Sequence, residues 1–345
     1  MDVCPVTKGT FSIDELNQAT IDGQKIPQTI TTFAFSCTQC GRCAPVCPVD
    51  IRRDHMMRYI KHTLRDQKPW GYTRYLLIKG PNKKGLHRIA QKLYITGKKM
   101  AVSDLAGYME TIPTEQADVL FYPGCYIYST ETMQQTLRLL NHLGQPYTVL
   151  GGVTACCGAP HLLQGELDEA DRCYDLLAQK IHASNPKILL SSCAECYEVL
   201  EQIKQRENLQ VEVLSVAEYL LRHPEKFPGT KTHGKIVVHD SCRFHRESLQ
   251  GRVALKVAAR FGEPVELSPK STSSCCYQWN HGNDPGNPTR RRHYLSTVKT
   301  MAPTLACTCV TCYEEFKKIS TDVEIIDILQ LFEDALNANH SKEQG

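Results

Sequence analysis

Short apolar segments alternate with amphipathic stretches along the last two thirds of the chain. The apolar segments have the length of strands and lie at 117–122, 187–191, 211–214, 234–239, 304–306 and 323–326. Between them, apolar residues recur at helical spacing, as in 131–143, 167–183 and 252–261. Strands that alternate with helices in this way predict an α/β fold with mostly parallel sheets.

The pattern occurs twice. Corresponding points, such as Cys125 and Cys242 or Cys193 and Cys309, lie 112 to 119 residues apart. We therefore expect two pseudo-repeated α/β domains, at residues 117–230 and 231–340. Their cysteines follow the predicted strands directly, which is where open α/β sheets bind cofactors.

The N-terminal third has a different pattern. Residues 1–66 predict a small α-helical segment, with an irregular polar arm at 1–32 and a helix at 51–65. Residues 67–116 predict a basic connector, in which 86–94 has the pattern of a short helix.

Charge is distributed unevenly. The chain carries a net charge of +3, but residues 51–100 hold fourteen Lys or Arg against two acids. This segment predicts a docking face for an acidic protein or an anionic membrane surface. No nucleic-acid recognition motif accompanies it, so nucleic acid is not an expected partner. The sequence shows no transmembrane run and no secretory signal, which favours a cytoplasmic protein, associated with a membrane only through a complex.

The chain contains seventeen cysteines, which say more about its function than its composition or charge does. In a cytoplasmic chain, clustered thiols indicate metal binding more than disulfides. The run Cys37-x2-Cys40-x2-Cys43-x3-Cys47-Pro is the ferredoxin pattern and predicts a cubane 4Fe-4S cluster. The fourth ligand stays open between Cys47 and Cys4, which also precedes a proline.

Each α/β repeat supplies a single cysteine, an adjacent pair and a CxxC. Adjacent cysteines do not both fit one tetrahedral zinc site, but they suit a larger iron assembly in which a thiolate bridges two irons. The two sets are Cys125, Cys156, Cys157, Cys193 and Cys196, and then Cys242, Cys275, Cys276, Cys309 and Cys312.

These motifs resemble the cysteine-rich "CCG" family. It includes the catalytic subunit of heterodisulfide reductase and the iron–sulfur subunits of glycolate oxidase and glycerol-3-phosphate dehydrogenase. The resemblance covers roughly residues 33–335. It implies a ferredoxin-like segment followed by two CCG domains, and two non-cubane 4Fe-4S clusters held by the two five-cysteine sets. It also implies that the first set is the reaction site. The second pair departs from the family pattern, since Tyr277 replaces the glycine.

Several residues near the sets are candidates for tuning the clusters or moving protons. Arg243 and His245 follow Cys242 and are candidate catalytic residues; His161 follows the first pair. Cys173 is expected to be a buried thiol of the core, and Cys307 is either a buried thiol of the core or an alternate ligand beside Cys309.

Two functions fit these features. In the first, the chain is an oxidoreductase subunit that passes electrons from the cubane to the non-cubane clusters, which reduce a disulfide or a similar acceptor. In the second, it relays electrons from a flavin dehydrogenase of the glycolate, glycerol-3-phosphate or succinate type to a quinone pool. No dinucleotide fingerprint is present, so a flavoprotein or ferredoxin-like subunit is the expected electron donor.

Overall fold

A computed structural model of the chain describes residues 4, 6, 11–67, 77–101, 117–125, 130–244, 248–267 and 287–343, except the single residues 22, 38, 45, 50 and 82. Cys275, Cys276 and His245 therefore lie outside the described residues. No helix in the described part combines the length and the apolar character that crossing a bilayer requires.

Two four-stranded parallel sheets form the body of the protein. The first has the order β2-β1-β3-β4 and the second has the equivalent order β6-β5-β7-β8. Their strands are β1 Val119–Tyr122, β2 Tyr147–Val149, β3 Ile188–Ser191, β4 Glu212–Ser215, β5 Lys235–Val238, β6 Glu263–Val265, β7 Thr304–Cys307 and β8 Glu324–Asp327. The predicted α/β class is confirmed. The edge strands β2 and β6 were not predicted, because three residues are too short to give a pattern.

Helices surround the sheets and form the N-terminal part. They are α1 Ile13–Gln18, α2 Gln28–Ser36, α3 Arg53–Thr63, α4 Gly85–Ala101, α5 Thr130–Leu143, α6 Ala159–Leu163, α7 Leu167–Ser184, α8 Ala194–Arg206, α9 Val216–Leu221, α10 Leu249–Phe261, α11 Asn287–Lys299, α12 Val310–Lys317 and α13 Gln330–Glu343. Single 3-10 turns lie at Arg65–Gln67 and Val153–Ala155.

The central strand β1 has no charged residue because both faces of its sheet are covered. All four residues of β1 are buried, with Leu120 and Phe121 in two different apolar clusters. The cluster that contains Phe121 also contains Ile236, Phe261 and Phe332 of the second repeat. The two repeats therefore share a core, which fixes how their strand ends face each other.

The expectation of an irregular arm at 1–32 was wrong. Helix α1 begins at a capping box in which Ser12 and Glu15 bond each other's backbone N–H groups. Phe11, Leu16 and Ile30 are buried in one cluster with residues of α3. The polar composition of the arm concealed these few apolar positions, which are enough to pack two short helices on α3.

Helix α3 packs directly against the first repeat. A Cβ on Gly165, which has φ +73°, would lie 2.4 Å from the backbone nitrogen of His62. Only glycine allows this approach. The buried Lys61 donates to the carbonyl oxygens of both Cys37 and Leu163, at 3.3 and 3.2 Å. The ferredoxin-like segment is thus held close to the helix that follows Cys156 and Cys157.

Candidate iron–sulfur centres

The ferredoxin-like loop surrounds a cavity of about 290 Å³. The loop leaves α2 at Cys37, its C-cap residue, and turns through Gln39 and Gly41, both with positive φ. Five cysteines line the cavity: Cys4, Cys37, Cys40, Cys43 and Cys47. The loop therefore directs the thiols of the ferredoxin run into a single space, as a cubane requires.

Backbone N–H groups point at two of these sulfurs. The N–H of Gln39 donates to Cys37 Sγ at 3.4 Å, and that of Ile51 donates to Cys47 Sγ at 3.3 Å. Backbone hydrogen bonds lower the pKa of Cys47, whereas burial raises the pKa of Cys37 to about 12. Donors of this kind stabilise thiolates that bind a cluster. Since Cys4 and Cys47 both line the cavity, the choice of the fourth ligand stays open.

The first repeat places its cysteines at the carboxyl ends of β1 and β3. Strand β1 lies between β2 and β3, so the chain passes from β1 to β2 on one side and later places β3 on the other side. This arrangement is a topological switch point, where open α/β sheets form a crevice. Cys125 follows β1, and Cys193 is the N-cap of α8, with Cys196 in the first turn. A helix N-terminus favours a thiolate there.

The adjacent pair closes the same crevice. Cys157 Sγ lies 3.5 Å from Cys196 Sγ. Hydrogen bonds from the thiols of Cys156 and Cys196 lower the pKa of Cys157 to about 6. Gly158 follows the pair with φ +84°, and a Cβ there would lie 2.7 Å from the carbonyl oxygen of Ala170. The glycine of the CCG motif is thus required by close packing of the pair on α7.

Two residues beside the first set were not predicted as part of it. Lys79 is 1% exposed, and its charge opposes the rise in the pKa of the Cys125 thiol that Cys156 and burial cause. Cys173, predicted to lie in the core, is buried in a cluster with Cys125 and Cys156. His161 is buried as well, with Nε2 3.2 Å from the carbonyl oxygen of Lys79. Burial lowers the pKa of His161 to about 4, so this imidazole is neutral at pH 7.

The second repeat reproduces this arrangement where it is described. Cys309 is the N-cap of α12 and Cys312 lies in its first turn, matching Cys193 and Cys196 on α8. The thiol of Cys312 and nearby backbone N–H groups lower the pKa of Cys309. Cys242 follows β5 and takes part in a disulfide bond, so it must be reduced before it can bind iron. Cys307 is fully buried in β7.

The two repeated sets face one common pocket. Its walls include four cysteines of the first set and three of the second, which are Cys125, Cys157, Cys193, Cys196, Cys242, Cys309 and Cys312. The sequence predicted two separate cysteine sets, and it contained no sign that they meet. A molecule in this pocket would contact ligands of both sets.

Arg243 lies at the junction of all three parts of the chain. Its Nε donates to Glu195 Oε1 at 2.8 Å, while Nη1 lies 3.4 Å from Glu198 and 3.8 Å from Asp54. These carboxylates raise the pKa of Arg243 against the opposing effect of burial. Asp54 belongs to α3, and the two glutamates belong to α8. Nε and Nη1 thus face carboxylates, whereas the buried Nη2 has no hydrogen-bond partner among the described residues, and the predicted catalytic role of Arg243 remains a prediction.

The donor set fits iron–sulfur clusters better than single metal ions. Among the described residues, no group of three Cys, His, Asp or Glu side chains could hold one metal ion. Zinc would require its ligands within about 2.3 Å of one point. The thiols instead surround cavities and carry N–H···S bonds, as ligands of a four-iron cluster do. At the second set this fit rests on Cys309 and Cys312, since the adjacent pair lies outside the described residues.

Comparison with known proteins agrees with these features. The description "4Fe-4S binding domain" matches residues 34–53, and "Cysteine-rich domain" (CCG) matches residues 119–201. No solved structure matches the chain significantly.

Several curated relatives are components of reductases. The D subunit of dihydromethanophenazine:CoB–CoM heterodisulfide reductase from Methanosarcina mazei is 27% identical over 61% of this chain and 52% of its own length. The same subunit from Methanosarcina barkeri is 23% identical over 88% of this chain and 78% of its own length. The B subunit of fumarate reductase (CoM/CoB) from Methanothermobacter marburgensis is 24% identical over 61% of this chain and 41% of its own length.

The matched region thus spans about half of the first of these relatives. The resemblance seen in the cysteine motifs is confirmed at the level of domains. The chain is an iron–sulfur protein with a 4Fe-4S binding domain and a cysteine-rich CCG domain, related to the D subunit of heterodisulfide reductase and the B subunit of fumarate reductase.

Proposed function

We propose that the chain is the disulfide-reducing iron–sulfur subunit of a larger redox complex. Electrons enter at the site of Cys37, Cys40, Cys43 and Cys47, and the disulfide reacts at the clusters that the two repeated sets would hold around their shared pocket. The observation that carries the proposal is this pocket, in which thiols of both sets line one space. A four-iron cluster transfers one electron at a time, so two clusters beside one pocket would supply the two electrons that a disulfide needs.

Residues around the pocket stabilise thiolate charge and hold the entry site against the first repeat. The helix N-termini at Cys193 and Cys309 stabilise thiolate charge. Lys61 joins the ferredoxin-like loop to the first repeat and keeps the entry site and the reaction site in contact. The electron donor is a flavoprotein or ferredoxin-like subunit, in line with the multi-subunit reductases to which the relatives belong. A chain with this many thiols suits the reducing cytoplasm.

A viologen assay tests the proposal. The anaerobically purified, iron-loaded protein is expected to oxidise reduced viologen when a small disulfide such as glutathione disulfide or cystine is added. Two thiols should appear for every two viologen radicals consumed. An iron-loaded protein that leaves every disulfide of such a panel unreduced would contradict the proposal.

The alternative function, a relay to a membrane quinone pool, is favoured by one observation on α4. Three large apolar side chains at i, i+3 and i+7 are exposed: Leu86 by 81%, Ile89 by 56% and Leu93 by 69%. On the opposite face, Gln91 donates to the carbonyl oxygens of Ile78 and Gly80 and fixes the helix to the protein.

The charge of α4 indicates what this face binds. The helix contains no Asp or Glu, and the exposed Lys84, Arg88 and Lys92 lie at its start and along it. Apolar side chains flanked by basic ones are typical of helices that lie in a membrane interface. Each basic residue near an anionic surface contributes about 1 kcal/mol. We propose that this face docks on a membrane rich in anionic lipid, with or without the disulfide activity.

Replacing Leu86, Ile89 and Leu93 together by serine is therefore expected to weaken vesicle binding at least about tenfold. Co-sedimentation with vesicles of phosphatidylglycerol and phosphatidylcholine measures this, and vesicles of phosphatidylcholine alone should bind weakly. The matched control is Leu249→Ser, which removes an apolar side chain that is 54% exposed elsewhere on the surface. Wild-type protein that ignores the anionic vesicles would exclude membrane docking by α4.

A further inference from the structure

A second cavity lies between the repeats and is lined by hydroxyl groups. It has a volume of about 50 Å³, which is room for about three water molecules. Residues that follow β3, β4 and β7 line it, together with residues of α5. The hydroxyl side chains among them are Thr132, Thr136, Ser191, Ser192, Ser215 and Thr308.

Asp327, the last residue of β8, is the one ionisable carboxyl in this lining. No Lys, Arg or His belongs to the described residues of the cavity wall. The groups around Asp327 are Cys307, its register partner on β7, and uncharged residues of α5, α9 and α10. Burial raises the pKa of Asp327 to about 6. This carboxyl can therefore take up and release a proton near neutral pH.

The equivalent residue in the first repeat shows that a carboxyl is not needed for the local fold. Asp327 accepts a hydrogen bond from the N–H of Leu329 at 3.0 Å, just after β8. Ser215 ends β4 and accepts one from the N–H of Glu218 at 3.2 Å. A hydroxyl thus suffices at this position, whereas a buried carboxyl is costly. Capping alone therefore does not explain why this position has a carboxyl group in Asp327.

A hydrogen bond connects the hydroxyl cavity to the cysteine pocket. Thr308 lines the cavity, and its Oγ1 donates to Ser241 Oγ at 3.4 Å. Ser241 lines the cysteine pocket beside Cys242. On the other side, Ser191 of the cavity wall accepts from the N–H of Cys193 at 3.2 Å. The two spaces also share Pro123 and Val310 in their walls.

Disulfide reduction requires protons at a buried site. The reaction breaks the S–S bond of RS–SR′, adds two electrons and two protons, and releases RSH and R′SH. The electrons come from the reduced carrier that supplies the N-terminal site. The charged residues that line the cysteine pocket are Arg243 and Glu195, which pair with each other at 2.8 Å, and a guanidinium group does not release its proton at neutral pH. A separate route for the protons is therefore needed.

We propose that Asp327 and the hydroxyl cavity form this route. Protons pass from Asp327 through water in the cavity to Thr308 and Ser241, and from there to the thiolates released in the cysteine pocket. The inference rests on the proposed disulfide reduction. Asp327 touches neither the substrate nor a cysteine of the predicted ligand sets. It therefore acts through the water and the hydroxyl groups that lie between it and the cysteine pocket.

The first test needs no cluster. The pKa of Asp327 is raised from 3.8 to about 6 by folding, so the folded state binds the proton more tightly than the unfolded state. Stability from this group is complete below pH 4 and is lost as the pH rises through 6. Asp327→Asn should therefore stabilise the protein at pH 8 but not at pH 4. The ratio of its folding equilibrium constant to that of wild type should be up to about 100-fold larger at pH 8 than at pH 4. Urea unfolding at the two pH values measures this. An equal effect of the variant at pH 4 and pH 8 would overturn the premise that Asp327 titrates in the folded protein.

The second test uses the iron-loaded protein and the viologen assay. Asp327→Asn should accept electrons from reduced viologen as fast as wild type in the absence of disulfide. With disulfide present, thiol production should fall at least about tenfold and the inflection near pH 6 should disappear. Asp327→Ser replaces the capping carboxylate with a hydroxyl, as at Ser215, and should behave like Asp327→Asn.

Ser248→Ala is the matched control, since it removes a capping hydroxyl that accepts from the N–H of Gly251 and does not line the hydroxyl cavity, and it keeps the carboxyl. It should retain the pH inflection. Turnover by Asp327→Asn at the wild-type rate with the same pH profile would overturn the relay and leave disulfide reduction standing. Wild-type protein that reduces no disulfide would instead overturn the proposed function and the relay with it.

Discussion

Replacing Cys157 by alanine is expected to remove one four-iron cluster and leave the N-terminal one intact. Cys157 is 2% exposed and contacts Cys196, and hydrogen bonds from Cys156 and Cys196 lower the pKa of its thiol. Without this ligand, the remaining thiols of the first set do not enclose a cluster. Iron content should fall from about twelve to about eight atoms per chain, measured together with acid-labile sulfide.

The matched control is Cys173→Ala. Cys173 is buried against Cys125 and Cys156, but it lies on α7 and outside the predicted ligand set. This variant should keep its full iron content. If Cys173→Ala loses a cluster and Cys157→Ala does not, the ligand assignment in the first repeat is wrong and Cys173 is a ligand.

Replacing Arg243 by methionine is expected to destabilise the protein by about 3–5 kcal/mol. The Arg243 side chain is 5% exposed and holds Glu195, Glu198 and Asp54 together. Its removal leaves the buried Glu195 without its hydrogen-bonded cation, whereas Asp54 keeps Arg52 at 2.8 Å. The free energy of unfolding from urea titration measures the loss, and Arg243→Lys should recover part of it because it restores the charge without the fork of donors.

A surface pair provides the comparison for Arg243. Arg222 lies 2.8 Å from Glu212, but both side chains are more than 40% exposed. Arg222→Met should cost about 0–1 kcal/mol. Equal losses in the two variants would show that the network at Arg243 does not hold the three parts of the chain together.

The sequence predicted the features that are local or periodic. Apolar strands at regular spacing gave the α/β class, and six of the eight strands were placed within a few residues of their observed bounds. The cysteine motifs gave the two domain types that the comparisons match. The domain boundaries and the individual cluster ligands stay predictions, including Cys275 and Cys276.

The features that escaped prediction depend on contacts between distant segments. Lys79 was one of many basic residues in the connector, and only the fold brings it to Cys125. Arg243 was assigned to the cluster beside it, because its carboxylate partners lie 45 to 189 residues away in the chain. Asp327 had no motif at all. Its environment arises from the packing of two repeats whose shared core the sequence pattern did not reveal.

The central claim is that three cysteine sites each hold a four-iron cluster. The most direct test is the iron and acid-labile sulfide content of protein purified without oxygen, with the EPR spectrum of the reduced form. We expect a brown protein with about twelve irons and about twelve sulfides per chain, and reduced-cluster signals of more than one kind. A colourless protein without iron, or one that contains only zinc, would contradict it.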